Sequence, residues 1–437
     1  MTDTLRAVDG CVTPARPLDR FASSDARKPY FTHLLMPRVS PAHLLAVCDS
    51  PALLIFDKSR LGAPVRTIGV PADQNITGIT NVDFASMAWA GSSLGGYVAL
   101  WDARSAHADA TRLISPSGAP YLSLATTGPL LAAGTELKGA DALIDLWDLR
   151  NPSAPVCTYS EVHSDDIMSL TFHPDTPHHP GVLLSGGMDG LVSAIDTTIA
   201  AEEDAVISVG NTDSSLARVG FAQHGAYAYT PRTKATDVGM DEKDTVLSND
   251  PRRTHLGPVY TVSNMQTLGV WDADKLDPIV TEVPVRAPTS YTPPWVSDYV
   301  VDAGTSLPML PPANGVRVPL MTGDQDGGAA LLSFDVDTMG TKTEWDLHAR
   351  LPSAQTCATA HSDIVRSVAW DAGTQRLYTG GEDGCILAWA LDGSVPQQAV
   401  PPPSAVPSSS PVDVPGAGAS TGRARSTGPK KRFAPYP

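Results

Sequence analysis

The chain lacks most of what a stapled, metal-built or membrane-crossing protein needs. Its five cysteines (Cys11, Cys48, Cys157, Cys357, Cys385) are scattered, odd in number and contain no CxxC pair. That argues against a disulfide framework or a cysteine zinc site, and it fits a reducing compartment. No apolar run approaches the roughly 20 residues of a membrane-spanning helix. The N-terminal MTDTLRAVDG has no apolar signal-peptide core. Basic charge is short as well. The net charge is −16, and residues 393–437 hold Arg423, Arg425, Lys430, Lys431 and Arg432 against one acid, Asp413. The rest of the chain is therefore more acidic than the whole, which argues against direct nucleic-acid binding, since that needs a basic footprint. A soluble intracellular protein without membrane contact is expected.

What is abundant is punctuation. Thirty-nine prolines and 36 glycines suit many short strands joined by tight turns. The chain also repeats itself. HSDIVRSVAWDAGTQRLYTGGEDGCILAW (361–389) has a counterpart that opens HSDDIMSLTFHP at His163 and resumes LLSGGMDGLVSAID, ending at Asp196. An aromatic or aliphatic residue, usually followed by Asp, closes the third strand of each unit: Phe56-Asp57, Trp101-Asp102, Trp147-Asp148, Ile195-Asp196, Trp271-Asp272, Phe334-Asp335 and Trp389-Ala390. The first four slots are 45, 46 and 48 residues apart, near the period of about 40–45 in WD repeats. The later gaps of 76, 63 and 55 require insertions, placed at 231–256, which is polar, and 281–315, which holds seven prolines. A unit of this kind cannot bury its own faces and must stack on siblings. The expected fold is all-β: a seven-bladed WD40 propeller over 28–392, with disordered segments at 1–27 and 393–437. The last unit has no fourth strand before the proline-rich tail, so a closing strand from the N-terminal side is expected, within 28–36.

The better-kept unit holds His361, Thr379, Asp383 and Trp389, which in WD repeats form a buried hydrogen-bond chain. The other keeps His163, Ser185 and Asp189 but has Ile195 in the Trp slot, so its chain should be incomplete. These residues are assigned to holding blades together. His-Ser-Asp at 163–165 and 361–363 cannot be a catalytic triad, because consecutive residues do not supply its approach vectors. His173, His178 and His179 lie in HPDTPHHPG without metal-ligand spacing, and Glu202-Glu203-Asp204 reads as a solvated loop. No catalytic residue, metal or cofactor is assigned.

Two features point to partners. Units two and three end Trp101-Asp102-Ala103-Arg104 and Trp147-Asp148-Leu149-Arg150. Consecutive WDxR endings resemble the signature of propellers that dock on the adaptor of cullin-type ubiquitin ligases as substrate receptors, where the forked guanidinium makes the contact. Arg104 and Arg150 are the candidates here. In the tail, Arg423, Arg425 and Lys430, Lys431 and Arg432 form two basic clusters suited to a nuclear import receptor. Ser426 and Thr427 lie between them, where phosphorylation would offset their charge.

Ile76–Arg104, Ala133–Arg150, the HSDDIMSLTFHP unit with its AIDTTIAAEEDAVIS continuation, and HSDIVRSVAWD with LYTGGEDGCILAW together resemble the WD repeat-containing protein 89 family. The resemblance is carried by 76–222 and 361–390. It implies a seven-bladed propeller without an assigned catalytic activity. The expected function is a non-enzymatic scaffold for protein partners in a nuclear or nucleocytoplasmic complex, with the ubiquitin-ligase receptor as the alternative.

Overall fold

The structure is a computed structural model that describes residues 5–7, 15–25, 27–38, 40–50, 52–70, 75–82, 87–102, 111–225, 255–286, 297–309, 311–337 and 340–391. Its strands fall into seven sheets, the blades of a propeller, antiparallel but for one strand added to blade six. Blade three shows the plan. Tyr121–Thr127, Leu130–Thr135, Ala142–Asp148 and Cys157–His163 pair in chain order, each strand bonded to the next. All seven aromatic or aliphatic slots lie at or next to the end of a blade's third strand.

The first strands of successive blades pack against one another and ring the axis. Hydroxyls stitch that ring. Thr77 donates to the Tyr121 carbonyl (2.6 Å), Ser123 to that of Ile167 (2.7 Å) and Ser367 to that of Phe31 (2.8 Å). In blade five Arg218 takes this position and reaches blade six, at the Asp302 carboxylate (2.9 Å) and the Val301 carbonyl (2.8 Å).

The core is not central but divided among the blade interfaces. Seven clusters of buried apolar side chains each join two neighbouring blades. Between blades three and four, for example, Ile144, Leu146 and Tyr159 meet Ile167, Leu183 and Ile195. This is why the third strands read as continuous apolar runs, for both of their faces are covered.

The sequence misplaces ring closure. The fourth strand of blade seven is Pro17–Ala22, paired antiparallel with Cys385–Ala390, so 1–27 is not simply a disordered leader. The apolar stretch within 28–36 instead forms Phe31–Leu35, the inner strand of blade one, with Phe31 fully buried. The reason is burial. An inner strand is covered on both sides and reads apolar, whereas Pro17–Ala22 alternates half-buried with exposed residues and leaves Leu18 52% exposed. Leu5–Ala7 adds a parallel strand to Thr343–Leu351 of blade six.

The expected insertion at 281–315 is corrected too. Blade five's outer strand, Asp277–Pro284, runs into it, and blade six's inner strand, Tyr299–Ala303, lies within it. Proline misled because it can occupy strand positions that need no donor. Pro319, inside Val316–Gly323, accepts from Gly304 on the side where Tyr299–Ala303 has ended. Most of 231–256 and all of 393–437 lie outside the described residues. His255 and Leu256 return to the blade wall, Leu256 buried.

Candidate functional site

The two buried chains form as the residue types require. In blade seven the Trp389 indole N–H donates to Thr379 Oγ1 (2.8 Å), and the Thr379 hydroxyl lies 2.8 Å from His361 Nε2. His361 Nδ1 lies 3.0 Å from the Asp383 carboxylate, which also accepts from the backbone N–H of Ser362 and Cys385. With the Nδ1 proton directed at Asp383, Nε2 accepts from Thr379 and every polar group has a partner. In blade four His163 meets Asp189 (3.2 Å) and Ser185 (2.8 Å). The chain stops there because the Ile195 side chain has no N–H to give. Blade five keeps the other half, with the Trp271 indole donating to Thr261 (3.0 Å). Sequence reasoning missed the substitute in blade three. There the Tyr121 hydroxyl and Thr158 Oγ1 both donate to Asp145, which is fully buried. The available signal was an acid inside the apolar run LIDLW.

Beyond these chains the sequence-selected residues separate. Arg104, Arg423, Arg425, Lys430, Lys431 and Arg432 lie outside the described residues. Arg150 is on the turn after the third strand of blade three, its side chain 67% exposed. Its guanidinium folds back on Asp148, Nε and Nη2 at 2.6–3.0 Å from the carboxylate, which holds Asp148 below the usual range. Glu202 is less solvated than expected, since its carboxylate accepts from the N–H of Ser160 (2.8 Å) and Glu161 (2.6 Å).

His173, His178 and His179 do line a cleft of about 360 Å³ with His224, His255 and Phe221. Among the described residues, however, no group of three or more His, Cys, Asp or Glu is placed to hold a metal. His173 has no lone pair to offer. Its Nδ1 accepts from the Asp175 N–H (3.0 Å), so Nε2 carries the proton towards the Leu256 carbonyl (3.0 Å). Burial, with the charge of His179, lowers its pKa, although the bond to Leu256 opposes the shift.

The opposite arrangement, a built platform, occurs at the turns between second and third strands. All seven sheets run in the same order, so these turns share one end of the ring. They are clamped by backbone bonds to the connections that enter each blade. Asp49 N donates to Tyr30 O, Leu94 N to Asn75 O, Glu136 N to Pro120 O, Met188 N to Asp166 O, Asn264 N to Ser215 O and Glu382 N to Ile364 O. Several are held at the far end as well, with Gly96 O, Gly190 O and Gly384 O accepting from Ser115, Thr212 and Ser23. Six of the seven turns are thus held by the same backbone bond, and in blade six the direction reverses, with Asp298 N donating to Gly323 O. Loops free to vary in side chain have little backbone freedom to lose there.

The WD domain, G-beta repeat family matches residues 154–196 and 353–390, which contain the two His–Asp chains. An uncharacterized WD repeat-containing protein of Schizosaccharomyces pombe is 31% identical over 229 residues, 48% of this chain and 67% of its own length. The chain belongs to the WD-repeat family. A second uncharacterized WD repeat-containing protein, from Saccharomyces cerevisiae, is 27% identical over 62% of this chain and 57% of its own length. A WD repeat-containing protein 89 homolog of Dictyostelium discoideum is 21% identical over 68% of the chain and 67% of its own length. Among solved structures, a chain of a mitotic checkpoint complex superposes with a TM-score of 0.56 at 13% identity, covering 89% of this chain and 96% of that one. That likeness shows the fold alone.

Proposed function

We propose that this WD-repeat protein is a non-catalytic scaffold that assembles protein partners in a nuclear or nucleocytoplasmic complex. The clamped belt of turns carries the reading, for it presents side chains on a fixed backbone. Affinity purification of the full chain with quantitative mass spectrometry tests it. Stoichiometric, salt-resistant protein partners are expected, and recovery of none would end the proposal. The nuclear part rests on Arg423, Arg425 and Lys430–Arg432. A fluorescent fusion lacking 421–437 should shift out of the nucleus, and an unchanged distribution would count against it.

A second reading, the ubiquitin-ligase receptor, is favoured by one observation. Arg150 is exposed, with its fork already oriented by Asp148. The same purification with an Arg104→Ala/Arg150→Ala variant decides it. The adaptor should be recovered with wild type and depleted about tenfold or more with the variant. Its absence from the wild-type sample removes this reading and leaves the scaffold standing.

A further inference from the structure

The belt of turns is chemically divided. In blades two to five one of the first two turn positions is apolar: Leu94, Leu137, Met188 and Met265. Leu94 is 44% exposed, Leu137 38% and Met265 69%. They are not loose. Leu137 N donates to the Asp166 carboxylate (2.7 Å), and the Met188 sulfur accepts from the Asn264 amide (3.0 Å) of the neighbouring turn. In blades six, seven and one neither of the first two turn positions is apolar and the first is an acid, Asp324, Glu382 and Asp49; in blade three an acid, Glu136, precedes the apolar Leu137.

Asp49 and Glu382 have cations, Arg27 (3.3 Å) and Arg366 (2.5 Å). Around blades six and seven Asp298, Asp324, Asp326 and Asp363 have no ion-pair partner among the described residues. The blade-six turn abuts the Asp363 backbone, for a Cβ on Gly327 would sit 2.9 Å from the Asp363 carbonyl oxygen. Burial lifts the Asp324 carboxyl above its usual range, and Asp326 and Asp298 add like charge. An arriving cation would relieve that repulsion. Exposed apolar side chains held on rigid backbone bind at low ordering cost, and the acids select what may follow them.

We propose that this face binds an extended partner segment that combines apolar side chains with neighbouring arginines or lysines. The apolar residues seat on Leu94, Leu137, Met188 and Met265, and the basic residues on the carboxylates of blades six and seven. The proposal rests on the scaffold reading and names its surface and the chemistry of its partner.

Fluorescence anisotropy with the full chain tests it. The probes are a labelled peptide joining leucines to a run of arginines, and its counterpart with glutamates for arginines. The leucine–arginine peptide should bind, weakening with added salt, and the glutamate form should not. Leu137→Ser/Met265→Ser and Asp326→Asn/Asp363→Asn should each weaken binding about tenfold with unchanged melting temperature. Equal binding of both peptides, or of one peptide to wild type and variants, overturns the proposal. So does sedimentation showing a dimer that Leu137→Ser/Met265→Ser dissolves, because a second copy would then be the occupant. If all four substitutions together leave the purified partners unchanged, this face is wrong while the scaffold stands. If no partner is recovered with any form, the scaffold reading itself fails.

Discussion

At the scale of single residues, the glycine pairs carry as much of the blade grammar as the histidines. A Cβ on Gly186 would lie 2.4 Å from a Val219 methyl of the next blade, and one on Gly380 would lie 2.7 Å from Phe31 Cβ. A Cβ on Gly187 or Gly381 would lie 2.7 Å from Nδ1 of His163 or His361. The first glycine thus sets blade spacing and the second lets histidine reach aspartate. In the finished chain Asp383 has a strong pH signature. Burial by itself would raise its carboxyl, but the hydrogen bond and charge of His361, with the N–H groups of Ser362 and Cys385, hold it down to about 2. A carboxyl depressed by folding stabilises above its unfolded value, near 4, and that stabilisation is lost as pH falls through about 2. Asp383→Asn is therefore expected to lose about 2 kcal/mol at neutral pH, with the gap to wild type closing in acid. Urea titrations across the acid range check this. A gap that stays constant with pH would show that the carboxylate charge is not its source.

Among the elements, the closing strand does more than fill an edge. Pro17–Ala22 bonds to blade seven, and its Asp19 carboxylate accepts from Leu61 N–H of blade one (2.7 Å). Phe21 packs on Phe56 of blade one at 4.9 Å between ring centres. One strand therefore fastens both sides of the seam. Deleting residues 1–22 should lower the melting temperature by on the order of 10 °C and promote self-association through the bared edge. Deleting residues 1–4 should change neither. Calorimetry and sedimentation velocity on the two truncations separate these outcomes, and equal behaviour would mean that the strand is dispensable. The strand was hard to read because its alternation is that of a half-wet outer strand, and Asp19 and Arg20 make it look like leader. Trp101, Trp147, Trp271 and Trp389 were easy to read, since a buried Trp slot recurs at the blade period. The clamped turns were legible only as turns, because their bonds join residues of different connections and leave no spacing in the sequence.

For the whole molecule, seven interface clusters mean that each blade is stable only between two neighbours, so the ring is as strong as its weakest junction. The chain crosses every junction. It passes from blade seven to blade one directly after the closing strand, so this seam holds only while that N-terminal strand stays paired with the C-terminal part of blade seven. Besides the closing strand, Lys58 Nζ meets the Asp371 carboxylate at 2.6 Å, with side-chain exposures of 16% and 9%. The Tyr378 hydroxyl donates to the Lys58 carbonyl (3.0 Å), and the Ser367 hydroxyl donates to the Phe31 carbonyl (2.8 Å). Burial disfavours the Asp371 carboxylate, yet bonds from Lys58 and Thr374 and the Lys58 charge keep it below its usual range. Removing Lys58 strands a largely buried carboxylate, which costs more than the pair itself contributes. Lys58→Met should therefore destabilise by about 2–3 kcal/mol, and Lys58→Met/Asp371→Leu should recover much of that loss. If the seam limits the ring, hydrogen exchange in Lys58→Met should speed up together in blades one and seven, and only later in blade four. Faster exchange confined to the Lys58 turn would show instead that the interfaces hold the ring without the ion pair.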